Sequence, residues 1–309
     1  MLQDIFPHQF YNQYDRRTRP KPEDFAFVLD GGRILMKKGK MFPQIRDLGM
    51  EHPYTYLFSV DETHFFLLRE LVEYPADWEM VELRSLRGAD YVEKHMVFAA
   101  MTAKHLADWY RDNQFCGRCG TRMGHSETER AMTCPACGNT VYPRIMPAVI
   151  VGVINGNQLL LTRYRTGFRH NALIAGFTEI GETAEETVAR EVMEEAGIRV
   201  KNIRYYKTQP WGIANDLLLG YYCDVDGDTN IRMDTHELRY AQWVPREEIV
   251  LQPDDYSLTN EMMLMFKNGM IHGDHSCCNN GIFGEEVHAI LAEDDFPINV
   301  FADKRKEDE

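Results

Sequence analysis

The stretch GFTEIGETAEETVAREVMEEAGI, residues 176–198, decides how the rest of this chain is read. It places Gly176, Glu182, Arg190, Glu191, Glu194, Glu195 and Gly197 in the spacing G-x5-E-x7-R-E-U-x-E-E-x-G-U, where U is apolar. Residues Thr183 to Ala196 have the periodicity of a helix, and Gly197 is placed to stop it. On that helix Glu191, Glu194 and Glu195 fall at i, i+3 and i+4 and share one face. Val188, Val192 and Ala196 form the opposite face, so the helix can anchor to a core while its acids line a cleft. Such a density of like charge is costly without compensation, and Mg²⁺ or Mn²⁺ is the natural partner. Both are hard cations that favour carboxylate oxygen, bridge to pyrophosphate oxygens and activate a water. Arg190 can fork onto Glu182 and fix the preceding loop against the helix, with Gly176 and Gly181 allowing that loop its turns. A solvated acidic helix is the bland alternative for an isolated E-x-x-E-E, but not for a pattern filled at every fixed position.

Immediately upstream, the run AVIVGVI (148–154) is nearly all apolar and suits a strand covered on both faces, hence a sheet between helices. Asn155-Gly156 turns it into a second strand at 158–164. Strands are expected at 200–207, 217–225 and 239–244, and a helix at 256–267. Further upstream, Cys116-x2-Cys119 and Cys134-x2-Cys137 have zinc-ribbon spacing, each pair with a glycine near its end. Four thiolates would close a structural Zn²⁺ site without room for water. Two disulfides or a redox motif are the alternatives. The first hundred residues read as antiparallel sheet, with hairpins around Asp30-Gly31-Gly32 and Asp61-Glu62 and a further strand near 79–83. They follow a polar lead-in over 1–20 and run into a helix over 90–112. The expected organisation is a β-rich N-terminal domain (1–112), a zinc ribbon (113–143), an α/β/α domain with a mixed sheet (144–270) and a tail (271–309) that is mobile over its last ten residues.

The chain has 309 residues with a formal charge of −14, a balance that disfavours coating nucleic acid but permits a phosphate ligand held through cations. It has no run of about eighteen apolar residues, so no membrane span and a cytoplasmic location are expected. Four of its seven cysteines lie in the two pairs, a metal pattern and not a secreted disulfide framework.

The segment 176–198 resembles the signature of the Nudix hydrolases. That resemblance implies an α/β/α sandwich and cleavage of nucleoside diphosphates linked to another group. Carried over residue by residue, it makes Glu191, Glu194 and Glu195 the metal ligands, assisted by Glu179 or Glu182, with Glu194 or Glu195 as base. A closing carboxylate is expected from DTHELRYAQW, at Glu237. The order of β-rich domain, zinc ribbon and Nudix domain is similar to the NADH pyrophosphatase (NudC-type) branch. HLADWYRDNQFCGRCG, VYPRIMPAVIV and IAGFTEIGET are local matches.

That branch carries S-Q-P-W-P-F-P-x-S downstream, whereas this chain reads Thr208-Gln209-Pro210-Trp211-Gly212-Ile213-Ala214-Asn215-Asp216. Gln209 and Trp211 persist, and stiff Pro-Phe-Pro gives way to flexible Gly-Ile-Ala. The resemblance implies hydrolysis of NAD(H) to nicotinamide mononucleotide and AMP by a homodimer. Phe177 and Tyr142 would stack on the substrate, or else be hinge or core residues, and Trp211 contacts the ligand or packs beneath it. ADP-ribose, a dinucleoside polyphosphate or NAD-capped RNA as substrate, and a non-catalytic nucleotide sensor, are the rival readings.

Overall fold

The computed structural model describes residues 1–38, 41–69, 73–74, 76–167 and 169–271. The N-terminal region contains β1 (Phe10–Tyr11), β2 (Phe25–Asp30), β3 (Arg33–Lys37), α1 (Ile45–Leu48), β4 (Tyr54–Val60), β5 (Thr63–Leu68) and β6 (Trp78–Glu82). They form one six-stranded sheet in the order β1-β4-β5-β2-β3-β6. Both expected hairpins are present, but β2 also pairs in parallel with β5, which merges them into a single sheet.

The first twenty residues are not a polar lead-in. Leu2 and Ile5 are buried, the Leu2 amide donates to the Tyr256 carbonyl at 3.0 Å, and β1 adds an edge strand to β4. Apolar residues such as Leu2 and Ile5, set in a polar stretch, have no period to read; only their burial against distant elements reveals them.

Helix α2 (Lys94–Asp112) packs on this sheet with Val97, Ala100, Met101 and Trp109. It leads into β7 (Gly124–His125), β8 (Met132–Thr133) and β9 (Thr140–Val141), a small three-stranded sheet. Met123, Met132, Cys116 and Cys134 belong to the same apolar core as the N-terminal sheet. That core therefore crosses the 112/113 boundary expected from the sequence.

The remaining elements are β10 (Met146–Asn155), β11 (Gln158–Tyr164), β12 (Ile174–Phe177), α3 (Ala184–Ala196), β13 (Val200–Trp211), β14 (Asp216–Val225), β15 (Leu238–Pro245) and α4 (Leu258–Lys267). Their mixed sheet runs β13-β14-β10-β11-β15, with β12 also pairing to β10. Strand alternation divides β10 between two cores. Val149, Val151 and Val153 pack with Val188, Val192 and Ala196 of α3, while Ala148, Ile150 and Ile154 pack with Leu258, Met262 and Phe266 of α4. This is the physical reason for an uninterrupted apolar run: both faces of the strand are covered, each buried Val or Ile contributing about 1.5–3 kcal/mol.

Helix α3 begins at a capping box, in which Thr183 Oγ1 accepts from the Glu186 amide at 3.2 Å and Glu186 Oε2 accepts from the Thr183 amide at 2.8 Å. It ends at Gly197, whose φ of +67° is costly for any residue with a Cβ. The histidine and cysteine-rich tail beyond 271, with Cys277 and Cys278, and its expected mobile end lie outside the described residues.

Candidate active site

Strand β12 was not legible in the sequence, yet it sets the site's geometry. Gly176 in β12 pairs with Val149 and lies under α3. A Cβ at Gly176 would fall 1.9 Å from the Glu191 carboxyl carbon, so this glycine is needed for close approach and not, as expected, for a turn. Gly181 does supply a turn, with φ of +99°.

Arg190 organises the acids around itself. Its Nε and Nη2 donate to Glu182 at 2.6 and 2.9 Å, Nη2 also reaches the Phe177 carbonyl at 2.9 Å, and Nη1 reaches Glu191 at 2.7 Å and Glu194 at 3.1 Å. The expected fork onto Glu182 is therefore present. It lowers the Glu182 carboxyl to about 2, aided by the Glu179 amide at 3.1 Å and the Thr187 hydroxyl at 3.0 Å. Glu182 is thus a positioning residue that ties the loop to the helix. The Glu179 side chain is exposed at the start of that loop.

Glu195 is the exception. It is 2% exposed, and neither carboxylate oxygen has a hydrogen-bond partner; the nearby Ala175 amide exerts only a small lowering influence. Burial pushes its carboxyl up to about 8, reinforced by Glu191, Glu237 and Asp234. Glu191 is also raised, by burial first, against the pull of Arg190.

The loop after β14 is laid over the C-terminal end of α3 by amides of Arg232 and Asp234, which donate to the Ala196 and Glu195 carbonyls at 2.8 and 2.9 Å. This delivers Glu237 and Asp234 to the acid cluster. Tyr164, at the end of β11, faces it too: its phenol is raised by burial and by Glu195, Glu237 and Glu191. Sequence reading missed Asp234 and Tyr164. Neither sits at a fixed interval from the helix, and pairing of β11 with β15 brings Tyr164 there.

A buried carboxylate with two unpartnered oxygens, facing three further carboxylates, is a donor set short of positive charge. Residues of this chemistry fit a hard divalent cation.

The thiols meet a stricter geometric test. Cys116 Sγ lies 3.7 Å from Cys137 Sγ, and Cys119 Sγ lies 3.5 Å from both Cys134 and Cys137. Thiolates tetrahedral about Zn²⁺ at ~2.3 Å are about 3.8 Å apart, whereas a disulfide would need ~2.05 Å. Gly120 and Gly138, with φ of +74° and +71°, turn the two knuckles.

The substrate-contact residues separate. Phe177 and Tyr142 are 51% and 56% exposed, so neither ring is core. Tyr142 donates to Glu129 at 3.0 Å. Gln209 is fully buried and its amide is spent internally: it donates to Gln3 and to the Tyr256 carbonyl, and it accepts from the Leu258 amide. Trp211 packs between two cores with the Arg87 guanidinium 5.2 Å above its ring. In this fold Gln209 is a brace for the end of β13 and the start of α4.

The Gly212-Ile213-Ala214 tip has an equally structural role. A Cβ at Gly212 would lie 2.2 Å from the Met101 carbonyl oxygen, and Ile213 enters the N-terminal core. Lys104 donates to the Ile213 carbonyl at 2.7 Å. A residue without a Cβ is used at Gly212 because the β13–β14 hairpin docks on the backbone of α2.

An acid-bearing helix held by Arg190 over a mixed sheet is the arrangement that the Nudix resemblance implies. The NUDIX domain matches residues 144–264, and the NADH pyrophosphatase zinc ribbon domain matches 111–142. The chain is 39% identical over 175 residues to the NAD-capped RNA hydrolase NudC of Shigella dysenteriae, covering 56% of this chain and 67% of that protein. It is 36% identical over 188 residues to the protein of the same description from Photorhabdus laumondii, covering 60% and 70%. A NUDIX hydrolase crystal structure from Nitrosomonas europaea aligns with a TM-score of 0.43 at 23% identity, over 50% of this chain and 91% of that one. The chain belongs to the Nudix hydrolases, in the NudC-type branch that carries this zinc ribbon. Among the described residues no helix is long and apolar enough to cross a membrane.

Proposed function

We propose that this enzyme hydrolyses the pyrophosphate bond of NAD(H), giving nicotinamide mononucleotide and AMP. The observation that carries the reading is the buried, unpartnered carboxylate of Glu195 among Glu191, Glu237 and Asp234. Glu191, Glu194, Glu195 and Glu237 would hold the divalent cation, Mg²⁺ or Mn²⁺, with Glu179 at the rim. When bound, that cation draws charge from the pyrophosphate oxygens and lowers the pKa of water.

The chain's own side chains do the rest. Arg190 and Glu182 fix the helix and the loop in one arrangement, so that the acids need not reorganise during the reaction. Glu195 or its neighbour Glu194 would take the proton of the attacking water. Phe177 and Tyr142, exposed beside the loop and at the ribbon's exit, offer flat faces to the bases. Glu195→Gln is expected to lower turnover by about 10²–10⁴-fold, with zinc content retained and the melting temperature not lowered. Near-normal turnover would sink the assignment.

The same bond in an NAD cap on RNA is a second reading, favoured by the relatives' activity and by one surface feature. A groove of about 460 Å³ on the N-terminal domain is lined by Arg16, Arg19 and Arg69 with Tyr14, Tyr54 and Tyr56. Cations interleaved with aromatic rings suit a single strand, a local concentration that the overall charge of −14 conceals. Mass analysis of products from NADH, NAD-capped RNA and ADP-ribose separates the readings. Cleavage of ADP-ribose alone would overturn both. The homodimer and the cytoplasmic location are proposed from the branch resemblance, to be checked by sedimentation and by fractionation.

A further inference from the structure

Far from the glutamates in sequence, two segments bring a further set of metal-ligating side chains together. His8, Glu93 and His95 each present a ligand atom within 4.8 Å of the others, one of two such groupings among the described residues, the other being the four cysteines. Glu93 is the residue that caps α2 and His95 lies in its first turn, with the two side chains 3.3 Å apart. His8 arrives from the N-terminal segment, its ring centroid 3.8 Å from that of His95.

Asp61, in the β4–β5 turn, holds His8 in place. Its Oδ2 is 2.7 Å from His8 Nδ1, and its Oδ1 accepts from the Gln9 amide at 2.9 Å. The Asp61 amide in turn donates to the Gln9 carbonyl at 2.8 Å. A carboxylate on one imidazole nitrogen fixes the tautomer and leaves the other nitrogen, here Nε2, for a cation. This is the usual outer support of a metal-bound histidine. The positive end of the α2 dipole opposes a cation at this spot, and the carboxylates of Glu93 and Asp61 offset it.

We propose that His8, His95 and Glu93, with Asp61 orienting His8, form a surface site for a divalent transition cation of the zinc, nickel and cobalt class. Two imidazoles and a carboxylate are too soft a set for Mg²⁺ and too few to close a structural tetrahedron, so solvent completes the coordination. The site is separate from both the cysteine knuckles and the acids of α3.

The test uses tag-free, full-length, zinc-loaded protein carrying Glu191→Gln and Glu195→Gln to remove the oxygen site, with Ni²⁺ as probe in equilibrium dialysis. The expected result is one equivalent of Ni²⁺ beyond that bound by the same protein with His8→Gln and His95→Gln. Asp61→Asn is expected to weaken that equivalent by about 10-fold. Equal Ni²⁺ binding with and without the two histidines would overturn the proposal. Should the double histidine variant fold poorly, Glu93→Gln at an exposed position is the substitute, with weaker Ni²⁺ binding expected and unchanged binding overturning the site.

Discussion

The cysteine knuckles and the carboxylate helix both gather metal-binding groups, and they do so in opposite ways. The four thiols come from two short loops of one small sheet and converge with sulfur–sulfur distances of 3.5–3.7 Å. The glutamates come from one helix and a distant loop; Arg190 holds Glu191 and Glu194, and Glu195 is buried with no bonding partner. A closed site adds to stability; an open one holds charge that the fold alone leaves uncompensated. The difference is the physical signature of a structural metal against a catalytic one.

The largest effect should come from breaking the closed site. Cys134 is buried in the core shared by the N-terminal sheet and α2. Cys134→Ser, or zinc removal by chelation, is therefore expected to cost several kcal/mol, read by zinc content and thermal melting. An unchanged melting temperature would mean that the ribbon does not support that core.

The open site should respond with the opposite sign. The folded-state pKa of Glu195 is raised from 4.5 to about 8, so the native state binds the proton more tightly than the unfolded chain. Its contribution to stability falls as pH rises from about 4.5 through about 8. In cation-free protein above pH 8, Glu195→Gln is expected to raise the melting temperature even though it removes activity. A lower melting temperature there would remove the contrast between the two sites.

A smaller change sharpens the same comparison by moving one acid. Gly176→Ala places a Cβ in the volume of the Glu191 carboxyl group. Overpacking of this kind costs about 1–3 kcal/mol, and the displaced carboxylate should lower turnover by about 10- to 100-fold. Full activity would show that Glu191 is not needed where it lies.

The smallest effect concerns an acid outside both sites. Burial raises Asp216 from 3.8 to about 6, partly offset by Lys104, and its Oδ1 is unpartnered. Its contribution to stability falls as pH rises from about 4 through about 6. Asp216→Asn should therefore melt higher than the parent above pH 6, with the gain vanishing below pH 4. A pH-independent difference would mean that ionisation of Asp216 is not the cause.

How much of this was legible follows the range of the interactions. Residues 176–198 declare a helix with an acidic face and an apolar one because both faces repeat at 3.6 residues. The Glu182–Arg190 fork spans eight positions and was equally readable. The AVIVGVI run announced a strand with both faces covered, and the cysteine pairs announced their knuckles, because each signal lies within a few residues of itself. Strand β12 is four residues long and carries no period, and its reason for a glycine is a side chain fifteen positions away.

Gln209-Pro210-Trp211 shows the limit most clearly. The sequence marked these residues as a substrate motif. The fold spends the Gln209 amide on Gln3, Tyr256 and Leu258, and it docks Gly212 and Ile213 on α2.

The sequence by itself determined the helix, its charges, the knuckle spacing and the sheet between helices, because periodicity and spacing are properties of neighbouring residues. Only the tertiary structure decided that Glu195 would be left without a partner, that Asp234 and Tyr164 would face it, and that His8 would meet His95. Burial and proximity arise from chain segments tens to hundreds of residues apart, and no local pattern encodes which of them will meet.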